Sequence, residues 1–478
     1  MGGGGFPAAL QPIRIEDEIM EYDERLILET LRRYVVPALG CTEPVAVALA
    51  AARAARVLEA EPDRITVTLD RDMFRNAFAV GIPGTGERGV RIAAALGAFG
   101  GDPDRGLMVI SDVPDNPREK ASRFAAETGV EVVLDTDAED ICILVELFSG
   151  DRSASVLVEG AHERVTRVTR DGEVVFAEDA AHGGVEKWVA YFSGLDINDA
   201  RSIIEGVDLD DIAFVGDGLS LTLAAAQVGI AEKAGLGYDS ELDTLVHPGF
   251  SIQNIIARAR VEAAAASGAR MAGLLVPVMS SFGSGNQGIV VNAVVGAIAR
   301  QAGYLDQAWL SGGRGDTAGD AEGGGPPVIL KEHRERVLRT LAMAHLIVGL
   351  AKSHTGMLSP YCEAAVTTAG AASAASVYLM GGDVPWMENA FLLTVAATEG
   401  VFCDGAKESC ALKVAMGAGA AVENAYLSLY HNAAPKSMGV VGENFTQTMR
   451  NFGRLAKNTG LGDIILKLLM ERDTYTDT

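Results

Sequence analysis

The chain reads as an α+β protein in which a strand-containing N-terminal part packs against a larger, all-helical C-terminal part. Two observations predict this. Between residues 65 and 177, apolar residues alternate or run in short blocks that suit strands. From about residue 185 onward the apolar spacing turns helical and mostly stays so. A third observation bears on packing: only 6% of residues are aromatic while glycine (55 of 478) and alanine abound, so close helix–helix contact is expected.

The elements follow in order. Residues 1–14 read as a disordered start, and 15–184 as a mixed α/β domain. A helix is predicted from about Glu16 to Pro37. A second starts after Thr42, a suitable N-cap, with Pro44 in its first turn, and ends near Glu61. Ile65–Leu69 alternates, Glu131–Leu134 is short and apolar, and Ile141–Phe148 reads as a buried strand that takes Cys142 into the core. Ser155–Glu159, Arg164–Thr169 and Val174–Ala177 read as antiparallel strands, the last two joined at Asp171-Gly172. Residues 185–478 form the helical domain. Its segments are Ala224–Ala234, Ile252–Gly268, Arg334–Ala351, Pro360–Leu379, Trp386–Gly400, Ala406–Leu429 and Glu443–Met470, with a glycine-rich loop at 303–327.

Charge and cysteine usage narrow the function. A net charge of −24 argues against nucleic acid and anionic membranes as partners, because both need a basic footprint. Met1-Gly2-Gly3-Gly4-Gly5 has neither a basic region nor an apolar core, so no secretory signal is expected. Leu341–Ala351 comes nearest to the roughly 18 apolar residues of a membrane helix and falls short. Five cysteines are too few for a disulfide scaffold, and the odd count fits a reducing cytoplasm.

Four of those cysteines sit where helices should begin: Cys41, Cys362, Cys403 and Cys410. A helix N-terminus favours thiolate, the form that binds soft metals and iron–sulfur clusters. Structural zinc usually shows paired Cys-x2-4-Cys spacings, which are absent, although spacing alone leaves zinc open. Gly84-Thr85-Gly86-Glu87-Arg88-Gly89 matches a dinucleotide fingerprint after a strand over Asn76–Ile82, with Asp112 ending a next strand. Pro83 and the lack of a continuing βαβ series weigh against it, and a turn holding a small anion is the milder reading. Ser284, Asn286 and Gln287 lie in a glycine-rich loop and offer hydrogen bonds, or else a polar loop with a capped helix. Arg270 suits a bidentate grip on a carboxylate. His354 and Lys407 are candidate bases, although a histidine here is more often an ordinary core or surface residue and a lysine in a first helical turn is commonly just solvated.

Gly40-Cys41-Thr42-Glu43-Pro44, Gly81-Ile82-Pro83-Gly84-Thr85-Gly86, Ala269-Arg270-Met271, Gly283-Ser284-Gly285-Asn286-Gln287-Gly288, Leu358-Ser359-Pro360-Tyr361-Cys362 and Cys403-Asp404-Gly405-Ala406-Lys407-Glu408-Ser409-Cys410 together carry a resemblance. From about Leu26 to the C-terminal helix the chain resembles the iron–sulfur L-cysteine desulfidase family, relatives of the alpha chain of iron–sulfur-dependent L-serine dehydratase. The resemblance implies a [4Fe–4S] cluster on Cys41, Cys362 and Cys403, with Cys410 a fourth cysteine of less defined role. It implies a lyase that converts L-cysteine and water to sulfide, pyruvate and ammonia. Arg270 and the Gly84–Thr85–Gly86 turn are then candidates for the substrate carboxylate, and Ser284, Asn286 and Gln287 for its amino group. The expected partner is a small amino acid, with neither nucleic acid nor membrane, and a homo-oligomer is compatible with the sequence. L-serine dehydration by the same cluster, a nicotinamide-dependent oxidoreductase and a non-catalytic cluster sensor are the alternatives.

Overall fold

The structure, a computed structural model, describes residues 22–127, 129–138, 141–178, 187–235, 252–305 and 328–473. The expected disordered start and most of the 303–327 loop lie outside them. In chain order the elements begin with α1 (Glu24–Tyr34), β1 (Pro37–Leu39), α2 (Thr42–Leu58), β2 (Arg64–Leu69), α3 (Arg71–Ala77), α4 (Val90–Gly100) and α5 (Asp115–Ala126). Next come β3 (Val130–Leu134), β4 (Cys142–Ser149), β5 (Arg152–Glu159), β6 (Val165–Arg170) and β7 (Glu173–Ala177). The helical part holds α6 (Lys187–Phe192), α7 (Ile197–Gly206), α8 (Asp217–Ala231), α9 (Ile252–Met271), β8 (Pro277–Met279) and α10 (Gly285–Gln301). It ends with α11 (Arg334–Thr355), α12 (Thr367–Leu379), α13 (Val384–Thr398), α14 (Cys410–Leu429), α15 (Phe445–Asn458) and α16 (Leu461–Asp473).

The alternating strands form one six-stranded sheet, ordered β3-β2-β4-β5-β6-β7, antiparallel except where β2 meets β3. Register explains its single buried face. Ile65, Val67 and Leu69 stand opposite Leu147, Val145 and Ile143, which in turn face Ala154, Val156 and Val158. All nine are buried, and α2 and α4 join them in one core. Burying each large aliphatic side chain is worth about 1.5–3 kcal/mol, so a one-residue slip of any strand would forfeit several such gains. Cys142 lies in β4 as expected, but on the opposite, half-buried face, because the period of two sends Ile141 and Ile143 inward instead. The β6–β7 hairpin closes at Asp171 (φ 50°) and Gly172 (φ 82°), both left-handed, as an Asp-Gly turn requires.

The second core is helical. The expected division at 184 groups α1 with the sheet, yet Ile27, Leu28 and Leu31 lie in this helical core. α10 is buried along its whole length, an Ile/Val/Ala/Gly helix with no polar face toward solvent. Residues 210–231 are long and apolar enough by composition to cross a membrane, unlike the sequence expectation, but half of that window is buried inside the fold. The two cores meet at a short ladder in which β1 pairs antiparallel with β8, Ala38 opposite Val278.

The dinucleotide reading fails here. Residues 71–77 form a helix rather than a strand, and Gly81 makes only one isolated bridge, to Arg88. Asp112 ends no strand; it pairs with Arg105.

Asp70 caps α3, accepting the backbone N–H groups of Asp72 (2.8 Å), Met73 (3.0 Å) and Cys142 (2.6 Å). Burial outweighs these bonds and pushes its carboxyl from 3.8 up to about 6. The folded chain therefore holds the Asp70 proton more tightly than the unfolded chain does. The stabilisation is complete below about pH 4 and is lost as pH rises through about 6. Urea unfolding of wild type and Asp70→Asn across this range should show the wild-type advantage shrinking by up to about 3 kcal/mol. A difference independent of pH would refute the assignment.

Candidate functional site

The β1–β8 ladder sets the site. Just past β1, Gly40 takes a left-handed turn (φ 74°) that only glycine adopts freely, and the chain enters α2 with Cys41 as its N-cap. The expected N-cap, Thr42, is the first helical residue, and its hydroxyl instead donates to the Gly283 carbonyl at 2.7 Å. Just past β8, Ser280 N–H donates to Val36 and Phe282 N–H to Tyr34. Phe282 is buried against Tyr34 and Trp188, with ring centroids 5.4 and 5.5 Å away. This pins the loop that opens α10. A separate bridge joins Tyr361 to Phe402; Cys362 N–H donates to Val401 and Cys403 N–H to Pro360.

These connections gather Cys41, Cys362, Cys403 and Cys410 around one cavity of about 90 Å³, together with Arg270, Ser284, Asn286 and Gln287. All five cysteines are free thiols. Cys41 Sγ donates to Glu43 at 2.8 Å, and Cys403 Sγ to Asn76 at 3.8 Å. Arg270 is buried; its Nε donates to the Gly40 carbonyl (2.8 Å) and Nη1 to Asn286 Oδ1 (3.2 Å), so part of its fork is engaged by the protein. Ser284 precedes α10 but makes no side-chain cap bond, which argues against the capped-helix reading of its hydroxyl.

Only two of the four cysteines occupy the helix starts expected of them. Cys41 and Cys410 do stand at helix starts, but Cys362 and Cys403 lie in loops, short of α12 and α14. Burial also overrides the helix ends. It pushes the Cys41, Cys362 and Cys410 thiols up, aided by Glu43 at Cys41 and by Cys403 at the other two, against Arg270 and Lys413. Among the described residues no three His, Cys, Asp or Glu side chains come close enough to hold a single ion. Soft sulfur from three distant segments, arranged around a cavity rather than converging on one point, fits a polynuclear sulfur-bound group better than a lone tetrahedral zinc.

Three expectations lie elsewhere. The Gly84–Thr85–Gly86 turn does not line the cavity. Gly84 N–H donates to Gly273, Thr85 closes its own turn on Ile82, and the turn braces the end of α9. Lys407 is tied to Asp404, which it and Lys413 hold at about 2 although burial acts to raise it. His354 lies near the end of α11, outside the cavity, its pKa lowered by burial and by Arg450.

The cavity also contains residues that sequence reasoning missed. Asn76, Glu43 and Tyr361 line it, as do Lys352 and Glu363. Lys352 and Glu363 form an ion pair with side chains only 4% and 6% exposed, and Thr355 Oγ1 (2.5 Å) and Gln287 Nε2 (3.3 Å) also donate to Glu363. The signal for Lys352 is a charge directly after the apolar run Leu341–Ala351, where it must be buried and hence paired. Glu43 and Glu363 each follow a cysteine closely.

Removing one partner of this pair leaves an uncompensated buried charge. Glu363→Leu should destabilise the chain by about 3–5 kcal/mol in urea unfolding, and adding Lys352→Met should recover most of the loss. Additive losses in the double variant would show that the pair is not coupled.

Comparison with known proteins supplies the family. Residues 106–460 match the serine dehydratase alpha chain family. A UPF0597 protein of Oleidesulfovibrio alaskensis is 35% identical over 435 residues, covering 90% of this chain and 94% of its own. A UPF0597 protein of Caldanaerobacter subterraneus subsp. tengcongensis is 31% identical over 458 residues, covering 95% and 100%. That of Desulfotalea psychrophila is 33% identical over 449 residues, covering 91% and 95%. With most of its length matched by the family and by full-length relatives alike, the chain belongs to the serine dehydratase alpha chain family.

Proposed function

We propose that the chain is a [4Fe–4S]-dependent carbon–sulfur lyase of the cytoplasm that converts L-cysteine and water to hydrogen sulfide, pyruvate and ammonia. The observation that carries this reading is the convergence of four cysteines, distant along the chain, on one cavity that also holds Arg270, Ser284, Asn286 and Gln287. Cys41, Cys362 and Cys403 are the assigned ligands, and Cys410 the spare thiol. Cys410 packs beside Cys41, so exchanging those two roles is the alternative within this assignment. A cluster so held supplies a Lewis-acidic iron for the substrate's leaving group.

The chain's own residues do the rest. Arg270, oriented by Gly40 and Asn286, presents positive charge to the amino acid's carboxylate. Ser284 and Gln287 offer hydrogen bonds to the amino group. Lys352 and Glu363 neutralise each other in the wall. Glu43 lines the cavity and accepts the Cys41 thiol proton; with Cys41 deprotonated as a ligand, its carboxylate is free to take the α-proton, a role we assign to it in place of Lys407 and His354. Elimination breaks the Cα–H and Cβ–S bonds; the aminoacrylate that leaves is hydrolysed to pyruvate and ammonia. The partner is the free amino acid, with neither nucleic acid nor membrane, consistent with the charge of −24.

The family description favours one second reading, dehydration of L-serine at the same site. Anaerobic purification with iron and sulfide analysis, followed by kcat/KM on L-cysteine and L-serine, separates the two. Cys41→Ala, Cys362→Ala and Cys403→Ala should each lose the cluster's visible absorbance and at least about 100-fold in sulfide release. Glu43→Gln should keep the iron and lose the turnover. Normal iron content and rate in all three cysteine variants would end the ligand assignment. A cluster with no lyase activity on either amino acid would point to a sensor.

A further inference from the structure

Arg75, near the end of α3, is 1% exposed, yet its Nε and Nη1 have no hydrogen-bond partner among the described residues. Its ion-pair partner among the described residues is Asp72, one turn away at 2.8 Å and itself 19% exposed. Its Nη2 donates to the Ser359 carbonyl at 3.3 Å. A guanidinium buried on such thin terms costs stability, and an aliphatic side chain would fill the space more cheaply.

Its surroundings give the burial a purpose. Ser359 lies three residues before Cys362. The backbone carbonyl of Arg75 lies against Gly405, between Cys403 and Cys410, so closely that a Cβ there would come within 2.5 Å. The next residue, Asn76, accepts the Cys403 thiol. A Cβ on Gly462, at the start of α16, would meet Arg75 Nη1 at 3.1 Å. One turn of a seven-residue helix from the sheet half thus touches both cysteine loops of the helical half.

We propose that Arg75 is a positioning residue for the cysteine cavity. Its guanidinium fixes the loop before Cys362, while its carbonyl and Asn76 fix the Cys403–Cys410 loop. The claim concerns the thiols themselves; only the iron arm of its test rests on the cluster reading.

Iodoacetamide labelling of the full chain, followed cysteine by cysteine by mass spectrometry, tests it. In R75Q the Ser359 loop loses its guanidinium, so Cys362, and with it Cys403, whose N–H is bonded to Pro360 of that loop, should label about five- to thirty-fold faster than in wild type, the change in open population that loosening a loop by a small fraction of global stability brings. Cys142, on the sheet, should keep its rate. R71Q, which breaks the exposed Arg71–Asp463 pair on the same helix, should leave every rate unchanged. After reconstitution with iron and sulfide, R75Q should retain less iron per chain and bleach faster in air. A folded R75Q with wild-type rates at Cys362 and Cys403 would overturn the proposal. Should R75Q also speed Cys142, R75K decides instead, since it keeps the charge beside Asp72 but cannot span Asp72 and Ser359. Selective acceleration there supports the role, and uniform rates overturn it. A wild-type chain that takes up no iron defeats the cluster reading, while the labelling rates still decide this one.

Discussion

The site depends on the backbone ladder between β1 and β8. It joins segments about 240 residues apart through Pro37–Met279, Ala38–Val278 and Leu39–Pro277. Closing so long a loop is entropically costly, and three residue pairs alone would not hold it. The stacked ring of Phe282, the Thr42–Gly283 bond and the Arg270–Gly40 bond add to the ladder at the same place. The cavity is therefore a property of the whole chain. Cys41 and Glu43 enter from a helix that packs on the sheet, Arg270 and Ser284 from helices of the other core, and neither half assembles the site by itself.

The interior electrostatics follow from placing this site where two dry cores meet. Thiols, a guanidinium, an ammonium and two carboxylates share a volume that excludes most water, where every unpaired charge is expensive. The chain answers with close pairing: Lys352 against Glu363, Arg270 on a carbonyl and an amide, Cys41 on Glu43. The thiols remain the least satisfied members: burial raises them, against Arg270 at Cys41, the Ala365 N–H and Lys413 at Cys362, and the Lys407 N–H with the Lys413 and Lys407 ammonium groups at Cys410. A soft cation that replaces their protons would relieve a cost that packing imposes, which couples metal uptake to the stability of the fold.

The sequence was most legible where chemistry is local. Strict alternation around Val67 and Val145 located the sheet, the Asp171-Gly172 turn located the last hairpin, and the cysteines with their flanking residues pointed to one site. It was least legible where distant segments decide. The glycines at 84 and 86 have the spacing of a phosphate-binding turn, but the Gly84 N–H donates to the Gly273 carbonyl, a contact no local pattern encodes. Lys407 sat between two cysteines and looked poised for chemistry, yet Asp404 holds it outside the cavity, whereas Lys352, buried in an apolar helix, reaches in. The thiols departed from their helix positions for a related reason. Helix position can be read from neighbours in sequence, but burial depends on what the rest of the chain lays on top, and burial is the larger effect.

The same distinction between local and summed effects governs recognition. A net charge of −24 would repel an anionic ligand at long range, but salt screens that field beyond about 8 Å at physiological strength. Inside the cavity the sign is set by the few groups within reach. Arg270 stands there with two of its donors already committed, and Lys352 is cancelled by Glu363, so the uncompensated positive character lies on the Arg270 side. Glu43 lines the wall as well, bonded to Cys41, on which Arg270 also acts. Those few groups, rather than the net charge of the molecule around them, set the field that a ligand would meet in the cavity.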